Sequence, residues 1–192
     1  MQEGFTVWLT GCAKSGKTTL ATLLERYLYQ AGMSYVQRLD GNIVRFDLSP
    51  DLGFSKKDRD ENVRRIAFVA ELLSNNGVAT LVSCISPYRA ARDKAKRCCL
   101  NFVEVYVACP IEVAKKRDEE GLYSRAECGD LAHFTGVSDP YEEPEQPDLV
   151  VYTDRETKTE SLNKILSVLK TRGLILLEGP NQGDQQARDQ QH

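Results

Sequence analysis

The run Gly11-Cys12-Ala13-Lys14-Ser15-Gly16-Lys17-Thr18 admits few folds. It has the form G-x-x-x-x-G-K-[ST], between an apolar run, Phe5 to Leu9, and a segment of helical periodicity, Thr19 to Gln30. A strand that feeds a glycine-rich turn and opens into a helix points successive backbone N–H groups inward. The positive end of the helix lies behind them. Such a loop cradles phosphate. Lys17 is expected to reach the β- and γ-phosphates of a nucleoside triphosphate, and the Thr18 hydroxyl to sit on Mg²⁺. The expected nucleotide contacts are Gly11, Cys12, Ala13, Lys14, Ser15, Gly16, Lys17, Thr18 and Thr19. A plain glycine-rich turn is the competing reading, and the strand–helix setting speaks against it.

The rest of the chain repeats the alternation. The first helix, Thr18–Ala31, carries Leu20, Leu23, Leu24, Tyr27 and Leu28 on one face, and Gly32 ends it. Tyr35–Leu39 is a second strand, delivering Asp40 at its C-terminal end. Ser55 caps a long helix to about Asn75, where Ile66, Val69, Ala70 and Leu73 recur at helical spacing. A third strand, Val78–Val82, leads into Ser83-Cys84-Ile85-Ser86-Pro87, and a basic helix, Arg89–Arg97, follows. Phe102–Val107 is a fourth strand and Glu112–Asp118 a short helix, opening into a polar segment from Glu119 to about Gly136. Leu149–Tyr152 is the fifth strand and Glu160–Thr171 the closing helix. Continuously apolar strands joined by helices predict an α/β fold, a P-loop NTPase-type parallel sheet with helices on both faces. Ligands then bind at the C-terminal strand ends, where Gly11, Asp40, Ser86 and Pro110 all fall. Residues 1–177 read as one domain, and the polar tail 178–192 as disordered.

Composition removes several function classes. A formal net charge of −3 marks neither a nucleic-acid binder nor a binder of anionic membranes. No apolar run approaches the length of a bilayer span and the N-terminus has no signal-peptide build, so a cytoplasmic location is expected. The six cysteines contain no C-x-x-C pair and read as free thiols. With two histidines and no H-x-x-H, a protein-ligated zinc site is not expected. The N-K-x-D guanine signature is missing, whereas an acidic residue closing the second strand and a late polar segment suit a kinase with a lid. From the residues alone, the function is phosphoryl transfer to a small molecule.

The remaining motifs narrow it. Leu39-Asp40-Gly41-x-x-Val44-Arg45, Asp51-Leu52-Gly53-Phe54-Ser55, Asp58-Arg59-x-Glu61-Asn62-Val63-Arg64-Arg65-Ile66, Ile85-Ser86-Pro87-Tyr88-Arg89, Arg117-Asp118-x-x-Gly121-Leu122-Tyr123 and Phe134-Thr135-Gly136-x-x-Asp139-Pro140-Tyr141-Glu142 follow the loop in order. Together they resemble adenylylsulfate kinase (APS kinase), collinearly from about Gly4 to Ile175. The resemblance implies transfer of the ATP γ-phosphate to the 3′-hydroxyl of adenylyl sulfate, with Mg²⁺, in sulfate activation. It implies a homodimer, and ATP sulfurylase as a possible associate. Carried over by position, Arg45, Arg59 and Asn62 hold the phosphate–sulfate group and ribose, with Ile85 and Ser86 beside them. Phe54 and Phe134 sandwich the adenine, Asp40 organises the Mg²⁺ water shell, and Arg117 begins a lid over ATP. Lys17, Asp40, Asn42 and Ser86 are the residues expected to carry catalysis, Ser86 at the position traditionally assigned as a phosphoserine. Without the resemblance, Phe54 reads equally as a core aromatic, Asp40 as a turn aspartate, and Arg64, Arg65, Arg89 and Arg92 as a solvated basic face.

The chain departs from the family pattern in three places. Asn42 stands where the family usually has aspartate, and an amide cannot accept a proton as a base. Slow rather than absent turnover is expected. Glu120 and Glu127 stand where lysine and arginine are common, which weakens attraction for polyanionic nucleotides, and Ala132 replaces a frequent lysine. These changes leave two alternatives. One is a regulatory nucleotide-binding module, against which Lys17 and Thr18 count; the other is a kinase of a different nucleotide diester, against which Arg45, Phe54, Arg59 and Asn62 count.

Overall fold

The computed structural model describes residues 3–176, so the tail from Glu178 lies outside the described residues. The strands are β1 (Phe5–Thr10), β2 (Val36–Asp40), β3 (Ala79–Ser83), β4 (Phe102–Ala108) and β5 (Leu149–Tyr152). The helices are α1 (Lys17–Gln30), α2 (Gly41–Asp47), α3 (Lys56–Asn75), α4 (Arg89–Cys98), α5 (Ile111–Lys116), α6 (Leu122–Glu127) and α7 (Lys158–Thr171). All strand pairings are parallel, in the order β2-β3-β1-β4-β5. The expected parallel sheet is therefore the observed one, and its order places the phosphate loop at the end of the central strand.

Strand alternation divides the core. Phe5, Val7 and Leu9 of β1 pack with Leu20, Leu24 and Leu28 of α1 and Ile165 and Leu169 of α7. Trp8 faces the other way, onto Val63, Ile66 and Ala70 of α3 and Ala91 and Ala95 of α4. Both faces of the strands are thus covered, which is why the runs read as apolar throughout.

Local signals place the helix ends. Gly32, at φ 86°, closes α1: its N–H donates to Tyr29 O and that of Met33 to Leu28 O, a Schellman stop. Ser55 Oγ accepts from Asp58 N at 3.2 Å, the cap expected for α3. Thr157 and Glu160 form a reciprocal capping box, so α7 begins at Lys158, two residues before the periodicity suggested. Two helices were not expected: α2, directly after β2, and α6, inside the polar segment from Glu119 to about Gly136. All six cysteines are free. Among the described residues no helix is long and apolar enough to cross a membrane.

Candidate active site

The C-terminal strand ends open on one cleft of about 1050 Å³. Ala13, Lys14, Gly16, Lys17, Thr18, Thr19 and Arg117 line it on the phosphate-loop side. Asp40, Asn42, Arg45, Phe54, Arg59, Asn62, Ile85, Ser86 and Phe134 line it elsewhere. Gly11, Cys12 and Ser15, also expected as nucleotide contacts, do not line it. Gly11 passes so close to β4 that a Cβ would lie 2.5 Å from Val107 O, a place only glycine can take.

The loop is wound around its own lysine. Lys17 Nζ donates to Cys12 O at 2.6 Å and to Ser15 Oγ at 3.3 Å. The side chain is buried, and burial lowers its pKa from 10.5 to about 8. Thr18 follows at the first turn of α1, and its hydroxyl donates to Asp40 Oδ2 at 2.7 Å. That carboxylate also accepts from Ser83 Oγ at 2.9 Å, while Asp40 Oδ1 accepts from Asn42 N at 3.0 Å and caps α2. Among the described residues no group of three His, Cys, Asp or Glu side chains is arranged for a metal. One carboxylate and one hydroxyl beside a phosphate loop is instead the donor set that suits Mg²⁺, which takes few protein ligands and completes its shell with phosphate and water.

The opposite wall is built around Phe54, whose ring is 52% exposed. Arg45 donates through Nη1 to Leu52 O and Gly53 O, with its guanidinium 4.5 Å from the Phe54 ring centroid. Arg59 donates through Nε to Phe54 O and through Nη2 to His133 O at 2.6 Å, its guanidinium 5.4 Å from the same ring. The two arginines therefore fix the loop before α3 and tie it to the segment carrying Phe134. Phe134 meets Tyr123 edge-on, with centroids 5.0 Å apart. Asn62 is buried, lines the cleft, and its Oδ1 has no hydrogen-bond partner, an acceptor that a ligand would satisfy.

Ser86 is held differently from expectation. Its hydroxyl accepts from Trp8 Nε1 at 3.0 Å and donates to Thr10 Oγ1 at 2.9 Å, both within the core. The residue is 2% exposed, and its φ of 39° is left-handed. What it offers the cleft is backbone more than hydroxyl.

The lid side is pinned to the phosphate loop. Arg117 Nη1 and Nη2 donate to Thr153 Oγ1 and Thr153 O, and Thr153 Oγ1 donates to Ser15 O at 2.9 Å. Tyr123 OH donates to Ala13 O at 3.0 Å. Glu120 does not simply add negative charge to the lid, because Lys14 Nζ lies 2.7 Å from its carboxylate. Glu127 is likewise matched by Lys115 at 2.7 Å. Arg92 contradicts the reading as a solvated face: it is 2% exposed and paired with Glu104 at 2.9 Å. Arg64, by contrast, is an exposed partner of Glu61.

Residues 3–152 match the protein family described as Adenylylsulphate kinase. The chain is 53% identical over 176 residues to the adenylyl-sulfate kinase of Halothermothrix orenii, covering 92% of this chain and 95% of that one. It is 50% identical over 174 residues to the adenylyl-sulfate kinase of Rippkaea orientalis, covering 91% and 96%. The solved Mycobacterium tuberculosis APS kinase CysC in complex with AMPPNP and APS superposes with a TM-score of 0.83 at 40% identity, over 88% of this chain and 99% of that one.

Proposed function

Because the chain belongs to the adenylylsulfate kinase family, it is an ATP-dependent kinase, and we propose that it moves the ATP γ-phosphoryl group onto the 3′-hydroxyl of adenylyl sulfate. One observation carries the reading: the phosphate loop and the Arg45–Phe54–Arg59–Asn62 wall open on a single cleft, so donor and acceptor meet inside it. The acceptor oxygen bonds to the γ-phosphorus as the bond to the β–γ bridging oxygen breaks. An alcohol is a poor nucleophile, so positioning and charge stabilisation supply most of the rate. The loop N–H groups hold the β- and γ-phosphates. Lys17 exchanges Cys12 O for a phosphate oxygen and compensates charge there. Thr18 and Asp40 would hold Mg²⁺, which when bound neutralises phosphate charge. Asn62 Oδ1 and the guanidinium groups of Arg45 and Arg59 serve the acceptor's hydroxyl and anionic groups.

With its hydroxyl engaged by Trp8 and Thr10, Ser86 is assigned to shaping the floor, and direct transfer needs no phosphorylated serine. Asn42 faces the cleft at the start of α2, where its carbonyl oxygen orients the acceptor hydroxyl without taking its proton. We assign a homodimer, with the exposed Ile43, Phe46, Phe68 and Leu72 of α2 and α3 as apolar contact surface. Light scattering at micromolar concentration checks it.

The test of function is ADP release with ATP, Mg²⁺ and adenylyl sulfate, coupled to detection of 3′-phosphoadenylyl sulfate. Slow turnover specific to adenylyl sulfate is expected. Asn42 also favours a second reading, a regulatory nucleotide site. Binding of 3′-phosphoadenylyl sulfate without turnover, in both this chain and its Asn42→Asp variant, would establish that reading instead.

A further inference from the structure

Ser86 is a left-handed, non-glycine residue on the floor of the cleft, at φ 39°. Such backbone persists where surrounding contacts over-determine it. Here the contacts form a buried polar network beneath the floor. Arg92 spends each guanidinium nitrogen on a different element: Nε donates to Glu104 Oε1 at 2.9 Å, Nη1 to Ser86 O at 2.7 Å, and Nη2 to Glu142 O at 2.7 Å. Tyr141 stacks on Tyr106 with centroids 5.9 Å apart, and its hydroxyl lies 2.9 Å from Thr10 Oγ1. Thr10 Oγ1 donates in turn to Ile85 O at 2.8 Å. Two further bonds tie the strap that carries Tyr141 and Glu142 to the floor loop of Ile85, Ser86 and Pro87 and the start of α4. Glu142 N donates to Pro87 O, and Arg89 N to Glu142 Oε2, both at 2.8 Å.

Arg92, Glu104 and Tyr141 do not line the cleft, whereas Ile85, Ser86 and Pro87 do. The strap that holds the floor continues from the Phe134 segment, whose His133 O is gripped by Arg59. The network therefore joins the aromatic wall to the floor on the acceptor side. The phosphate loop's own bonds run to Thr153, Tyr123 and Lys17 and none runs to Arg92 or Tyr141, although Thr10 of the network directly precedes Gly11 and Tyr123 packs on Phe134.

We propose that Arg92 and Tyr141 are positioning residues for the acceptor, acting through Ser86 and its neighbours to set where the adenylyl sulfate ribose lies relative to the γ-phosphate. The proposal rests on the kinase reading above. A planar fork with three separate acceptors is a task for arginine, since lysine presents a point charge and cannot span them. Reacting atoms displaced by about 1 Å lose about 10²-fold in rate.

The experiment compares Tyr141→Phe and Arg92→Lys with the parent chain. Steady-state kinetics vary each substrate, and calorimetry measures binding of adenylyl sulfate and of a non-hydrolysable ATP analogue. Tyr141→Phe removes one hydroxyl and keeps the stack on Tyr106, so it remains informative even if Arg92→Lys folds poorly. The expected result is a 10- to 100-fold fall in kcat/KM for adenylyl sulfate with ATP-analogue affinity within twofold of the parent. A fall shared equally by both substrates would overturn the proposal, as would parental kinetics accompanied only by a lower Tm. If the parent binds adenylyl sulfate without turnover, affinity becomes the readout, and variants that bind it as tightly as the parent refute the positioning role. A parent that binds no adenylyl sulfate removes the kinase reading itself, a separate failure.

Discussion

Replacing Asn42 by aspartate is the sharpest probe of proton removal in this cleft. Asn42 is exposed in the first turn of α2; its backbone N–H donates to Asp40 Oδ1, and its side chain makes no hydrogen bond among the described residues. The substitution therefore breaks no side-chain hydrogen bond. A carboxylate at a helix N-terminus gains about 0.3–1 kcal/mol. Repulsion from Asp40 through solvent opposes it by a similar amount, on the order of 1 kcal/mol. Folding stability should change by less than about 1 kcal/mol, leaving rate as the quantity that moves. A positioned general base contributes about 10²–10⁴-fold. At about 1.4 kcal/mol per decade, that is roughly 3–5 kcal/mol of barrier, larger than every structural term in the substitution.

The assay is single-turnover formation of 3′-phosphoadenylyl sulfate at saturating ATP and adenylyl sulfate, so that binding and product release do not mask the chemical step. A rise of at least 100-fold is expected, with KM for ATP unchanged. An increase below about threefold in a variant that binds both substrates would refute the argument. Proton removal would then not limit this enzyme, and the amide would already supply all that this position contributes.

Three further outcomes follow from the same cleft. In the unliganded protein burial holds Lys17 at about 8 against 10.5, so between those values the unfolded chain binds more protons and this group's contribution to stability rises with pH. Nucleotide phosphate restores the ammonium; binding at pH 8 should take up about half a proton and weaken as pH rises further, and calorimetry in buffers of different ionisation enthalpy that finds no uptake would contradict this. Asp40→Asn confronts Thr18, Ser83 and Asn42 N with an amide, and kcat/KM should fall about 10²–10³-fold with a raised Mg²⁺ requirement; an unchanged Mg²⁺ dependence would remove Asp40 from the metal's surroundings. Phe54→Ala removes a residue that is 52% exposed together with its cation–π contacts to Arg45 and Arg59, so folding stability should fall by no more than about 1–2 kcal/mol. Loss of aromatic stacking, about 1–1.5 kcal/mol, should raise KM for adenylyl sulfate about tenfold and leave KM for ATP unchanged.

What could be read ahead of the structure was set by how tightly chemistry binds residue type to position. The phosphate loop was legible because each of its glycines and its lysine answers to a separate geometric demand, and the strands because both their faces are buried. Helix α2 was not. Its Ile43 and Phe46 are exposed, so no apolar face marks it, and its N-cap, Asp40, has the chemistry of a metal-side carboxylate as much as that of a cap. Arg92 was missed because helix α4 is basic on every turn, and periodicity alone cannot separate a buried arginine from its solvated neighbours. The signal lay in its partner. Glu104 is the one charge inside the apolar run Phe102–Val107, in a central strand covered on both faces, and a carboxylate there requires a buried cation. Once that cation is Arg92, its two remaining arms must find carbonyls, and the nearest belong to Ser86 and Glu142. A lone acid in a buried strand thus reports on the geometry of an active-site floor, although neither it nor its arginine touches the cleft.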